Sequence, residues 1–140
     1  MYILKSEADF DSAHFLSGYE GKCSNIHGHR WKISAEIYGE ILENNGQMRG
    51  MLVDFGIFKK DLKAIADKFD HALIIEQNSL KPDTLQCLKN ENFNIIQIPF
   101  RPTAENFARL FFDMLSEKNY KVKSFTVYET PTNCAIYMGE

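Results

Sequence analysis

Cys23-Ser24-Asn25-Ile26-His27-Gly28-His29-Arg30-Trp31-Lys32-Ile33-Ser34-Ala35-Glu36-Ile37 carries the pattern that decides the fold. His27, His29, Trp31, Ile33, Ala35 and Ile37 share one parity, while Lys32, Ser34 and Glu36 take the other. A period of two with one apolar side is a half-buried strand. Residues two apart on a strand point the same way, so the two imidazoles stand side by side where the strand begins. They form a ready pair of ligands for a transition metal. The Cys23 thiol, four residues before the first histidine, is a potential nucleophile or base beside them.

Upstream, Tyr2, Leu4, Ala8 and Phe10 alternate with Lys5, Glu7, Asp9 and Asp11, which predicts a strand over 2–13 ending near His14. Phe15 to Ile26, with Gly18 and Gly21, reads as a loop to a second strand over 29–39, antiparallel to the first. If the two strands form a hairpin, His14 lies beside His27 and His29. Asn44-Asn45-Gly46 marks a turn. Asp54 then caps a helix whose apolar stripe is Phe55, Phe58, Leu62, Ile65, Ala66 and Phe69, with Asp70 and His71 at its end.

Asp83 is placed to cap a short helix to about Lys89, and Ile95–Phe100 reads as a short strand that stops at Pro102. Thr103 opens another helix, with Ala104, Phe107, Ala108, Phe111, Met114 and Leu115 inward. Strands over 122–129 and 134–138 close the chain around Thr130-Pro131-Thr132-Asn133. A strand pair at each end with helices between them predicts an α+β fold, with helices on one face of an antiparallel sheet. The length of 140 residues predicts one domain over 1–140.

The net charge of −3 supplies no basic field to attract nucleic acid or a membrane surface. No apolar run approaches the roughly 20 residues that span a bilayer. The N-terminal residues alternate like a strand and lack the apolar core of a signal peptide. Three cysteines are too sparse for a disulfide framework and point to a reducing compartment, so the expected location is cytoplasmic.

Four histidines are present, and three can converge at the strand junction. Three neutral imidazoles leave one position of a tetrahedral zinc open for water or substrate; the bland alternative is two surface histidines and an unrelated third. Cys23 has three readings: a base beside the metal, a fourth ligand that closes the site, or a small buried hydrophobe. Asp70-His71 is either a polar helix terminus or an oriented acid–base pair, since a carboxylate fixes an imidazole for proton donation. Glu129 shares parity with Phe125 and Val127. A carboxylate on an apolar face needs a partner, and a ligand with two parallel N–H groups would supply one; the alternative is a strand-end glutamate in solvent. Thr103-Ala104-Glu105-Asn106 is first of all a helix N-terminus.

Together these residues resemble the 6-pyruvoyl-tetrahydropterin synthase and 6-carboxy-tetrahydropterin synthase family. The resemblance runs from Phe10 to Tyr137. It rests on Phe10-x3-His14, Cys23-x3-His27-Gly28-His29, Val53-Asp54-Phe55, Phe69-Asp70-His71, Pro102-Thr103-Ala104-Glu105-Asn106 and Glu129-Thr130-Pro131-Thr132, in that order. The short Cys23 spacing is similar to that of the bacterial queuosine-pathway branch.

The resemblance implies the T-fold (tunnelling fold), a four-stranded antiparallel sheet with two main helices on one face. It implies a homo-oligomer, a hexamer with sites at subunit interfaces. It also implies Zn2+ on His14, His27 and His29, and proton transfer by Cys23, Asp70 and His71. Glu129 would anchor the pterin, with Thr103 and Glu105 also on the substrate side. The implied substrate is 7,8-dihydroneopterin triphosphate, a small-molecule pterin triphosphate, converted to 6-carboxytetrahydropterin, acetaldehyde and triphosphate. The triphosphate needs a local basic pocket, for which Lys22, Arg30 and Arg49 are the candidates. Rival readings are 6-pyruvoyl-tetrahydropterin formation and a non-catalytic zinc- or pterin-binding protein.

Overall fold

Two long strands, β1 (Tyr2–His14) and β2 (His27–Gly39), form the antiparallel hairpin on which the rest of the chain is laid. This is seen in a computed structural model that describes residues 1–140. Phe10 stands opposite Trp31 and His14 opposite His27, so the apolar parities of the two strands share a face. β5 (Val122–Thr130) pairs antiparallel with β2, and β6 (Asn133–Met138) with β5. On the other side β3 (Ala72–Glu76) pairs with β1 and β4 (Ile95–Ile98) with β3. The sheet order is β4-β3-β1-β2-β5-β6.

The sheet therefore has six strands rather than the expected four, and it is mixed rather than antiparallel throughout. β3 runs parallel to β1 and β4 parallel to β3. β3 has no alternation in its sequence because Ala72-Leu73-Ile74-Ile75 is a short continuous apolar run. Such a run is the pattern of a buried parallel strand, and it gives no alternation to read.

Helices α1 (Phe55–Phe69) and α3 (Ala104–Ser116) pack on the apolar face, α1 over β1 and α3 over β5 and β6. Asp54 Oδ1 caps α1 by accepting the Gly56 and Ile57 amides at 2.6 and 3.2 Å. Thr103 Oγ1 caps α3 through the Asn106 amide at 3.2 Å. The α1 stripe is buried at Phe58, Leu62, Ile65, Ala66 and Phe69. Phe55, expected in that stripe, is 61% exposed because it sits at the first helical position, off the packed face. The third helix, α2 (Pro82–Asn90), begins one residue before Asp83; Lys81 precedes it and Pro82 opens it, so Asp83 lies in the first turn and is not the cap. No helix is long and apolar enough to cross a membrane.

Aromatic rings fill the space between sheet and helices. Phe10 stacks on Trp31 with ring centres 6.1 Å apart, and Phe107 stacks on Phe111 at 5.4 Å. Trp31 meets Phe107 edge-on at 5.0 Å. The column continues upward into the His14 ring, 5.0 Å from Trp31. Phe107 is fully buried at the centre of this column. Phe107→Ala should therefore lower unfolding stability by about 3–5 kcal/mol, read from the midpoint of a urea melt. A shift within about 1 kcal/mol, the scale of a well-accommodated core swap, would mean the column does not hold the sheet to α3.

Candidate metal centre and active site

The hairpin register alone brings the three histidines together. His14 closes β1 and His27 opens β2 as direct cross-strand partners, and His29 lies one step further along, opposite Ser12. Ring centres are 4.6 Å apart for His14 and His27, 5.1 Å for His14 and His29, and 4.9 Å for His27 and His29. One ligand nitrogen from each lies within 4.8 Å of the other two.

The protonation of two of these rings is set by main-chain carbonyls. His14 Nδ1 lies 2.7 Å from the Pro102 carbonyl oxygen, and His27 Nδ1 lies 2.7 Å from that of Asn25. A carbonyl only accepts, so each Nδ1 carries the hydrogen and each neutral ring has a bare Nε2. Such an outer hydrogen bond is the usual means of orienting a metal-ligating imidazole. Four buried side-chain polar atoms in the molecule lack a partner: Ser12 Oγ, His14 Nε2, His29 Nε2 and Trp31 Nε1. All four belong to this corner. Orphaned buried acceptors are costly, and a cation would satisfy the two imidazole nitrogens. The three residues therefore fit a metal ion.

Burial pushes the His14 imidazole from its usual 6.5 down to about 4, against the Pro102 carbonyl, which favours the charged ring. His29 is lowered as well, first by burial, with Glu129 opposing. Both therefore stay neutral, as metal ligation requires. Glu129 Oε1 lies 3.3 Å from His29 Nε2. The alignment does not make a hydrogen bond, and that nitrogen remains free. Glu129 projects toward the triad but does not join the mutually close group.

Asp70 and His71 meet at 2.9 Å between Oδ2 and Nδ1. His71 has φ of 53°, a left-handed conformation that few residues other than glycine adopt. The clamp that holds it is the Asp11 main chain. The Asp11 amide donates to Asp70 Oδ1 at 2.9 Å, and the Asp11 carbonyl accepts the His71 amide at 2.7 Å. That Asp11 amide, and then the His71 side chain, hold the Asp70 carboxyl below its ordinary range. His71 itself is well exposed, beside a cavity of about 640 Å³ bounded by Ala13, Arg30, Leu88 and Phe93. Glu129 borders a second cavity of about 440 Å³ with Lys32, Tyr128 and Thr130. Gly28, His29 and Arg30 line both.

Cys23 lies half-buried in a short turn, Lys22–Ser24, within the 15–26 loop. Its side chain forms no hydrogen bond to Asp70 or His71, so a single chain leaves thiol and dyad unlinked. Thr103 spends its hydroxyl oxygen on capping, and Glu105 is exposed in the first turn of α3. Arg30 is already paired with Asp9 and Asp11, at 3.2 and 3.0 Å.

A family model described as 6-pyruvoyl tetrahydropterin synthase matches residues 3–140. The chain belongs to that family. It is 36% identical to the 6-carboxy-5,6,7,8-tetrahydropterin synthase of Haemophilus influenzae, covering 98% of this chain and 99% of that one. It is 33% identical to the protein of the same name from Rickettsia felis, over 91% and 93% of the two chains. Two solved structures share the architecture. An uncharacterized protein of Wolinella succinogenes superposes with a TM-score of 0.82 at 21% identity, covering 99% and 98% of the chains. The 6-pyruvoyl tetrahydropterin synthase of Caenorhabditis elegans gives 0.70 at 23%, covering 99% and 96%. The fold is the T-fold.

Reading side chains alone misses the main-chain partners of this site: the Pro102 and Asn25 carbonyls and the Asp11 backbone. Residue type carries no signal for them. The burial of His14 has a thermodynamic consequence. The unfolded side chain takes up a proton near 6.5, whereas the folded one resists until about 4. Between those values the unfolded chain binds more protons, so metal-free protein loses stability as pH falls through the window. Urea melts of chelator-treated protein should show the midpoint dropping from about pH 7 to about pH 4.5, and His14→Gln should flatten that slope. An unchanged slope in the variant would refute the neutral, buried state of His14.

Proposed function

We propose that the protein is a zinc-dependent lyase that converts 7,8-dihydroneopterin triphosphate and one water to 6-carboxy-5,6,7,8-tetrahydropterin, acetaldehyde and triphosphate, a step of queuosine biosynthesis. The convergence of three imidazole nitrogens, in a chain of this family, carries the reading. Full-length likeness to relatives named 6-carboxy-5,6,7,8-tetrahydropterin synthase favours the carboxy product over the pyruvoyl one.

His14, His27 and His29 would hold the zinc, which when bound supplies Lewis-acid polarisation of the substrate's side-chain oxygens. Cys23 is the base that removes a carbon-bound proton. His71, oriented by Asp70, returns a proton from the other side. General acid–base help of this kind supplies roughly 10²–10⁴-fold, so positioning and charge stabilisation carry the remainder. Glu129 accepts the paired N–H groups of the aminopyrimidine edge, a geometry that fixes orientation as well as affinity. Thr103 and Glu105, at the start of α3, complete the substrate side.

Sheet order supports a homo-oligomer. Glu129 is on β5 and His71 precedes β3, three strand places apart, or roughly 14 Å at the usual inter-strand spacing. Glu129 and His71 border different cavities of the chain. A site at the junction of two copies, within a hexamer, brings anchor and proton donor to one substrate. Such a soluble assembly would work in the cytoplasm.

Incubation of purified protein with dihydroneopterin triphosphate, followed by mass spectrometry, tests the reaction. Equimolar 6-carboxytetrahydropterin and acetaldehyde are expected; a product that keeps the three-carbon side chain assigns the pyruvoyl reaction instead, and no turnover leaves a binding protein. The anchor is tested separately. Glu129→Gln keeps the size but removes the charge, and affinity for a non-reactive pterin should fall at least about tenfold, roughly 1.4 kcal/mol, with metal content unchanged. Equal affinities in a calorimetric titration would reduce Glu129 to a strand-end glutamate.

A further inference from the structure

The segment Arg101-Pro102-Thr103 does three jobs within three residues. The Pro102 carbonyl orients His14, and the Thr103 hydroxyl caps α3. The Arg101 side chain reaches in a third direction. Its Nε donates to the Ser17 carbonyl at 3.0 Å, in the loop between β1 and β2. The Arg101 carbonyl is itself pinned, accepting Asn106 Nδ2 at 2.9 Å and the Thr103 amide at 2.8 Å. The arm therefore springs from a fixed base. Arg101 is half-buried and has no carboxylate partner, so its contact with Ser17 is not incidental to an ion pair.

Ser17 lies just inside a closed loop. The Leu16 amide donates to the Cys23 carbonyl at 2.8 Å, which brings the two ends of the 16–23 segment together. Gly18, the next residue, has φ of +76° and lies against the guanidinium; a Cβ there would stand 3.4 Å from Arg101 Nη2. Gripping Ser17 and Gly18 thus fixes the closed loop, and with it Cys23, relative to the segment that orients His14.

We propose that Arg101 is a positioning residue for Cys23, setting the thiol against the metal-binding corner. The inference rests on the reading of Cys23 as the base. Placement matters at this level because a misplacement of 1 Å at a reacting group can cost on the order of 10²-fold in rate.

The test uses full-length, metal-loaded protein in which the exposed Cys87 and Cys134 are replaced by serine, so that Cys23 is the one thiol. Three variants are made on that background: Arg101→Met, which keeps the apolar stem; Arg101→Lys, which keeps a donor; and Cys23→Ala. Arg101→Met should lower kcat at least about tenfold with KM within about twofold, the pattern of a lost transition-state alignment. Its metal content should be unchanged, and iodoacetamide should modify Cys23 several-fold faster as the loop loosens. Arg101→Lys should recover much of both. Alkylation of Arg101→Met at the parent rate would overturn the proposal. So would a raised KM with kcat kept, which would make Arg101 a direct substrate contact. Wild-type turnover by Cys23→Ala would instead remove Cys23 as the base, while the alkylation comparison would still report whether Arg101 holds the loop.

Discussion

Everything at this site depends on the pairing of β1 with β2. Their register sets His14 opposite His27 and Phe10 opposite Trp31. Because side chains alternate with a period of two, one constraint decides both the core and the site. A slip of a single residue would turn Trp31 and Ile33 to the polar face and scatter the imidazoles at the same time. The burial of Trp31, Ile33, Ala35 and Ile37 therefore defends the histidine geometry. The energy that specifies the register comes from the apolar half of the hairpin, and the chemistry sits at its open end.

Burial also explains how the triad is kept ready. Folding leaves the Nε2 atoms of His14 and His29 without partners, and their rings neutral. Two of the three rings are oriented by carbonyls from irregular segments, Asn25 before β2 and Pro102 before α3. The rigid strands supply position, and the loops supply tautomer. The opposite face of the hairpin carries a different chemistry. There Arg30 lies between Asp9 and Asp11, and Lys32 reaches Glu7 at 3.8 Å and lies over the Tyr128 ring. With Arg30 so committed, it is a poor candidate to receive a triphosphate.

Much of this was legible in the sequence, for reasons particular to each element. The strands read over 2–13 and 29–39 announced themselves by alternation, and the structure extends them to His14 and back to His27. The helices were marked by Asp54 and Thr103 at their starts and by stripes such as Phe107, Ala108, Phe111 and Leu115. His14 could be joined to His27 and His29 because a hairpin must return to its starting point. β3 was not legible. His71 ends α1 with a left-handed residue and delivers the chain beside Ser12 as a parallel strand, a long-range choice that Ala72-Leu73-Ile74-Ile75 does not spell out. The same holds for the Asp11 clamp on Asp70 and His71, which uses main-chain atoms that every residue possesses.

The missing element changes how the site must be understood. With only four strands, His71 would have been a loose helix end free to swing toward the histidines. As the lead-in to β3 it is fixed on the far side of β1, held by the Asp11 amide and carbonyl and opposed to β5 across the sheet. The left-handed backbone at His71 is strain of the kind that persists where surrounding structure enforces it, and here the Asp11 main chain enforces it, through its carbonyl to the His71 amide and its amide to the Asp70 carboxylate. The dyad is thereby held beside β1, three strand places from the β5 that carries Glu129. The lateral separation of His71 from Glu129 thus follows from strand order alone.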